Sequence, residues 1–173
     1  GYELMPVPQT PDKDYPDTFL NTNDKFPDGH QGIVSTIEAQ GMKPGIWIHS
    51  SINNEEFAER HADDLLKDAK GKPMEGDWIG YTFDCTPPTL EKHIFPIYRG
   101  MRDEGYSYIK VDALRHVLYD GLREAVRQGL LTNEEAEERF RALLKSAREG
   151  MGEDVYMLAC WGIMSEAAGL VDA

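Results

Sequence analysis

Lys110 and Asp112 stand two residues apart in the stretch Gly105-Tyr-Ser-Tyr-Ile-Lys-Val-Asp-Ala-Leu114. A carboxylate there can act as a nucleophile or exchange a proton, and a lysine beside it can hydrogen-bond a hydroxylated substrate or form a Schiff base with a carbonyl. The run from Tyr106 to Val111 favours a buried strand, and side chains alternate along a strand, so Lys110 and Asp112 share a face. In a barrel of parallel strands the C-terminal strand ends line the mouth where chemistry occurs. Asp112 is therefore the first candidate for a catalytic group.

Other expected strand ends also carry polar side chains: His49 and Ser50, Asp84, then Cys160 and Trp161. If all these strands are parallel, the groups converge on one rim. Each has a plainer reading beside the functional one. An aspartate after a strand also makes turns and caps, Lys110 could simply be ion-paired, and Trp161 could belong to the core or stack on a sugar face. Arg115 and His116 fall in the first turn after Asp112, where they could contact substrate or serve as ordinary polar residues of a helix start. His61 and His93 sit in helical patterns among charged neighbours and are expected to be exposed, and Gly29 and His30 are expected in a turn. The acidic run from Glu134 to Glu138 suits the dipole at a helix start.

No segment has the form of a phosphate-binding glycine loop, a nucleophile elbow or a metal-ligating histidine pair, so neither cofactor nor metal is expected. Cys85 and Cys160 allow at most one bridge and show no zinc-ligand spacing.

Three helix, glycine, strand units position these residues. Ile33, Val34 and Ile37 make an apolar stripe before Gly41 and a strand at 45–49. Leu90, Ile94, Ile97, Tyr98 and Met101 precede Gly105 and the strand at 106–112. A capping box in Thr132 and Glu135 opens a helix that runs to Arg148, followed by Gly150, Gly152 and a strand at 154–160. Such a series predicts parallel strands with helical crossovers. Two amphipathic helices are expected as insertions at 53–70 and 113–131, with a short strand at 79–84 between the first of them and the helix at 88–104. These strands are too few to close an eight-stranded barrel. The expected fold is α/β, part of a (β/α)8 barrel that is cut short. The chain starts at Gly1 without a targeting pattern and stops in an apolar segment at Val171-Asp172-Ala173, which suggests a piece of a longer protein. Residues 1–29, with five prolines, read as a connection to an absent N-terminal part, and Phe19, Leu20 and Phe26 suggest that some of it packs down. Residues 30–173 read as the partial catalytic barrel.

The chain has 173 residues, 40% of them hydrophobic, with 18 basic against 31 acidic side chains and a net charge of −13. That imbalance disfavours nucleic acid and anionic membrane as partners and suits a neutral substrate such as a sugar. No apolar run is long enough to span a bilayer, so the chain is expected to be soluble, with its compartment open.

In order along the chain, Asn23-Asp-Lys-Phe-Pro-Asp-Gly29, Gly41-Met-Lys-Pro-Gly-Ile-Trp47, Tyr81-Thr-Phe-Asp84, Tyr108-Ile-Lys-Val-Asp112 and Cys160-Trp-Gly162 resemble the motifs of melibiase-like α-galactosidases, glycoside hydrolase families 36 and 27. The resemblance implies a (β/α)8 catalytic barrel and a retaining double displacement with Asp112 as nucleophile. It further implies Lys110 and Asp84 on sugar hydroxyls, Trp47 lining the pocket and Cys160 beside the sugar. The implied partners are an oligosaccharide or glycoside and the remainder of the barrel. Val111 stands where the family usually has tryptophan, His49-Ser-Ser51 replaces acidic residues, and Trp161-Gly-Ile-Met-Ser165 is nearer family 27 than family 36. The family's acid/base follows the fifth strand, beyond Ala173. Glu166 and Asp172 are the nearest carboxylates and neither has its context, so this chain alone is expected to be a poor catalyst. Two other readings compete: a Schiff-base enzyme using Lys110, and a non-catalytic carbohydrate-binding fragment.

Overall fold

A computed structural model describes residues 17–76, 80–160 and 165–173. The helices and strands follow in the order α1 (Asp17–Leu20), α2 (Gly29–Glu38), β1 (Gly45–Ile48), β2 (Ile52–Asn53), α3 (Glu55–Arg60), β3 (Glu75–Gly76), β4 (Gly80–Thr82), α4 (Pro87–Thr89), α5 (Phe95–Asp103), β5 (Tyr108–Val111), α6 (Arg123–Arg127), α7 (Asn133–Met151) and β6 (Tyr156–Ala159).

β1, β5 and β6 form one parallel sheet in the order β1-β5-β6, and helices lie in both crossovers. Alternation sorts its side chains. Ile48, Ile109, Val111 and Met157 are buried on the helical side, whereas Trp47, Lys110 and Leu158, at one level of the register, are half-buried on the other. One pleat below, Tyr108 and Tyr156 stack with ring centroids 5.6 Å apart. Gly45 leaves room for this pair, because a Cβ there would lie 2.8 Å from Cδ1 of Tyr108. Three adjacent parallel strands with helical crossovers make an α/β unit of the kind from which barrels are built.

The helical layer rests on α5 and α7. Ile97, Tyr98 and Met101 of α5 and Phe140, Leu143, Leu144 and Ala147 of α7 are all fully buried. The two helices approach closely at Gly150, where a Cβ would lie 2.8 Å from the Phe95 carbonyl oxygen. α7 opens with the expected capping box: Glu135 N donates to Thr132 Oγ1 at 3.1 Å and Thr132 N to Glu135 Oε2 at 2.7 Å. Between α4 and α5 the chain widens into a π-type turn, Leu90–Ile94. Pro96 has no N–H to close an ordinary turn, so the widening falls where a hydrogen bond is missing.

Several expectations are corrected. Residues 80–82 do not join the parallel sheet: β4 is antiparallel to β2 and β3 in a second small sheet. The insertion at 53–70 is helical only in α3, which Asn54 caps by accepting from Phe57 N at 2.9 Å, and in a 3₁₀ turn at Ala62–Asp64. Beyond it, Leu66 N donates to Thr82 O at 3.0 Å, so that backbone pairs with β4 instead of continuing a helix. His30 is a buried helical residue, not a turn former. A carbonyl only accepts, so His30 Nε2 donates to Phe19 O at 3.1 Å and its Nδ1 accepts from Tyr106 Oη at 2.9 Å. This contact ties buried Phe19 to the segment entering β5. Among the described residues no helix is long and apolar enough to cross a membrane.

Candidate active site

The parallel ladder continues past the strand ends. Asp112 N donates to Ile48 O and Cys160 N to Val111 O, each at 2.8 Å, which brings Asp112 and Cys160 to the C-terminal rim beside the end of β1. Trp47 reaches across from β1, its Nε1 donating to Asp112 Oδ2 at 2.7 Å. The backbone N–H of Ala113 holds the other carboxylate oxygen, Oδ1, at 2.8 Å. To do so Ala113 takes a left-handed φ of 64°, an uncommon conformation for a residue with a Cβ. Cys85, directly after Asp84, takes a similar left-handed φ of 56°.

These contacts set the electrostatics. Partial burial works to raise the pKa of Asp112, but hydrogen bonds from Ala113 N, Trp47 and Cys160, with the charge of Lys110, outweigh it and hold the carboxyl below its ordinary value. Burial pushes the Cys160 thiol up, and its hydrogen bond to Asp112 adds to the shift, so the sulfur stays protonated as a donor. Burial lowers His49 despite the opposing charge of Asp112, which keeps the imidazole neutral near pH 7. The ring of His49 meets that of Trp47 edge-on at 5.6 Å. Beyond His49 opens a cleft of about 490 Å³ lined by Asn53, Glu55, Glu75 and Tyr81 of the small sheet and α3. An ionised carboxylate at a partly open rim, with its lone pairs directed by two N–H donors, is suited to attack an electrophilic carbon.

Trp47, Lys110, Asp112 and Cys160 thus form one group. The other candidates have partners of their own. Asp84 Oδ1 accepts from Thr86 N at 2.9 Å and from Thr86 Oγ1 at 3.0 Å, the arrangement of an aspartate turn before α4. Arg115 is exposed, its guanidinium 5.8 Å from the centroid of the Tyr119 ring. Trp161 lies outside the described residues. Ser50 turns inward, 2.8 Å from the hydroxyl of Tyr98. Glu166 pairs with Arg123 at 2.7 Å, and Asp172 pairs with Arg148 at 2.7 Å while accepting from Met157 N. Both carboxylates are committed to holding the C-terminal segment.

No family model matches the chain. Among solved structures, 87% of the chain superposes on TtGalA, an alpha-galactosidase from Thermus thermophilus whose complexes include p-nitrophenyl alpha-D-galactopyranoside and stachyose, with a TM-score of 0.70 and 25% identity. The chain resembles part of an alpha-galactosidase. It spans 30% of that enzyme's chain in the nitrophenyl galactoside complex and 32% in the stachyose complex. The alpha-galactosidase of Lactobacillus brevis matches over 81% of this chain and 19% of its own, at a TM-score of 0.57 and 18% identity. The glycoside hydrolase domain of PelA from Pseudomonas aeruginosa matches over 83% of this chain and 53% of its own, at a TM-score of 0.60 and 16% identity. These two likenesses concern the fold.

The sequence pattern pointed to Lys110, Asp112 and Cys160 at strand ends, and the resemblance added Trp47. It missed the Ala113 N–H, since nothing local marks an alanine for a left-handed turn. It also placed His93 at the surface, whereas His93 is fully buried.

Proposed function

We propose that this chain carries the nucleophile-bearing part of a retaining α-glycosidase of the α-galactosidase type, acting on the terminal sugar of an oligosaccharide or glycoside. The observation that carries this reading is the Asp112 carboxylate, held ionised at a parallel-strand end by Trp47 and Ala113 beside Lys110 and Cys160. In the first step an Asp112 oxygen bonds to the anomeric carbon as the bond to the leaving oxygen breaks, and that oxygen takes a proton from a second carboxylic acid. Water then displaces Asp112, returning the carboxylate and giving net retention. Trp47 aims the nucleophile, Lys110 donates to sugar hydroxyls, and the Cys160 thiol faces the same carboxylate. Glu166 and Asp172 do not supply the acid, because both are held by arginines. Asp84, Arg115 and Trp161 are assigned to sugar contacts, with no bond or proton transfer of their own.

A fluorinated glycosyl fluoride, which forms the glycosyl-enzyme but hydrolyses it slowly, tests the assignment on a polypeptide holding the whole barrel. Peptide mapping should find the label on Asp112, and Asp112→Asn should lower kcat by on the order of 10³ or more with the fold intact. Label on another carboxylate, or undiminished turnover in Asp112→Asn, would remove Asp112 from the reaction.

A further inference from the structure

Away from the Asp112 group, three segments bring chelating side chains together. His61 ends α3, Asp64 closes the short 3₁₀ turn Ala62–Asp64, and His93 lies in the π-type turn between α4 and α5. His93 Nε2 is 2.7 Å and His61 Nδ1 3.7 Å from Asp64 Oδ2. One ligand atom from each residue falls within 4.8 Å of the others. We propose that His61, Asp64 and His93 form a binding site for one divalent transition-metal ion, zinc first among them.

Bond lengths of about 2.0–2.1 Å to nitrogen and oxygen place the ligands of a tetrahedral zinc about 3.3 Å apart, between the two separations seen here. Two imidazoles with one carboxylate select zinc and its neighbours over calcium or magnesium, which take oxygen ligands. The rings are already held. His93 stacks on Phe83 at 5.0 Å and His61 on Phe57 at 4.5 Å, and the two imidazoles meet nearly at right angles at 5.4 Å. His93 is fully buried, whereas the Asp64 side chain keeps 20% of its surface exposed and gives the ion a way in. Three protein ligands leave the fourth position to water.

Lys92 now pairs with the carboxylate the ion would need: its Nζ lies 2.7 Å from Asp64 Oδ2. The lysine side chain is 54% exposed and can swing into solvent, so it acts as a stand-in cation that the metal displaces. The site would cross-link the end of α3, the turn before α5 and, through Asp84 N donating to Asp64 O at 3.0 Å, the end of β4. None of this depends on the proposed reaction, and the test needs no turnover.

The test is titration of the chelator-treated chain with zinc chloride by calorimetry, repeated with cobalt(II) to read the coordination geometry from its visible bands. One equivalent should bind per chain, with tetrahedral cobalt bands. His61→Gln and Asp64→Asn should each weaken zinc binding tenfold or more with unchanged circular dichroism. His93→Gln could fail to fold and is not required. Lys92→Gln should tighten binding several-fold, because it removes the competing ammonium. Absence of stoichiometric uptake, uptake undiminished in His61→Gln or Asp64→Asn, or zinc affinity in Lys92→Gln no higher than in the parent chain would each overturn the proposal.

Discussion

Asp112 owes its ionised state first to the N–H of its neighbour Ala113, and then to donors far away in the chain. Trp47 is 65 residues away, yet its indole N–H reaches the carboxylate at 2.7 Å. Removing that donor weakens the preference for the charged form, so Trp47→Phe should raise the pKa of Asp112 toward the ordinary value of 3.8. Titration of the carboxyl carbon by NMR checks this: the parent midpoint should lie below 3.8 and the variant midpoint above the parent's. The sign for stability follows from linkage. A carboxyl whose folded pKa is depressed contributes stability above the unfolded value and loses it as pH falls through the folded one. In Trp47→Phe that contribution should shrink, which would show as a smaller loss of stability between neutral pH and the acid side of 3.8. An unchanged midpoint would mean that Ala113, Cys160 and Lys110 hold the charge without help from Trp47. Lys110 and Asp112 were legible in the sequence because a period of two fixes their common face whatever the strand packs against. The Trp47 contact was not legible as geometry, because it depends on which strand lies beside β5.

Elements with strong local signals came through almost unchanged. α7 is the clearest case, with its capping box at Thr132 and Glu135 and its run to the glycines at 150 and 152 both visible in the sequence. Thr132→Ala should cost about 1 kcal/mol, read from the midpoint of denaturant unfolding. The same helix packs so closely on α5 that Gly150→Ala would drive a methyl to within 2.8 Å of Phe95 O and 3.0 Å of Arg99 N. Backbone gives way less readily than a side-chain tip, so the loss should be on the order of 1–3 kcal/mol despite alanine's better helix propensity. A stability equal to the parent's would show that α5 and α7 can separate without cost. The insertion at 53–70 misled for a physical reason. Phe57, Leu65 and Leu66 have helical spacing, but the backbone at Leu66 finds its partner in Thr82. Where a peptide group can bond to a neighbouring strand, side-chain periodicity no longer determines the local structure.

For the molecule as a whole, the parallel sheet is covered by helices on one side, while Trp47, Leu158 and Tyr108 are half-buried on the other and Tyr156 is 45% exposed. Among the described residues, β1 pairs along one edge only, whereas the C-terminal segment covers the outer edge of β6, with Ala159 N donating to Ala173 O at 2.7 Å and Asp172 N to Met157 O at 2.9 Å. The open edge of β1 beside an apolar face favours association. The 173-residue chain alone should therefore sediment as larger species with rising concentration, and Tyr156→Lys should reduce this. A concentration-independent monomer would show that the face is protected in solution. By itself the sequence determined the class of fold, its helix and strand alternation and the shared face of Lys110 and Asp112, since these follow from local periodicity and capping. Only the tertiary structure decided that β4 turns antiparallel, that Trp47 meets Asp112, and that His61, Asp64 and His93 gather under buried aromatic rings. Those encounters depend on register and packing between distant segments, and no spacing along the chain encodes which faces will come together.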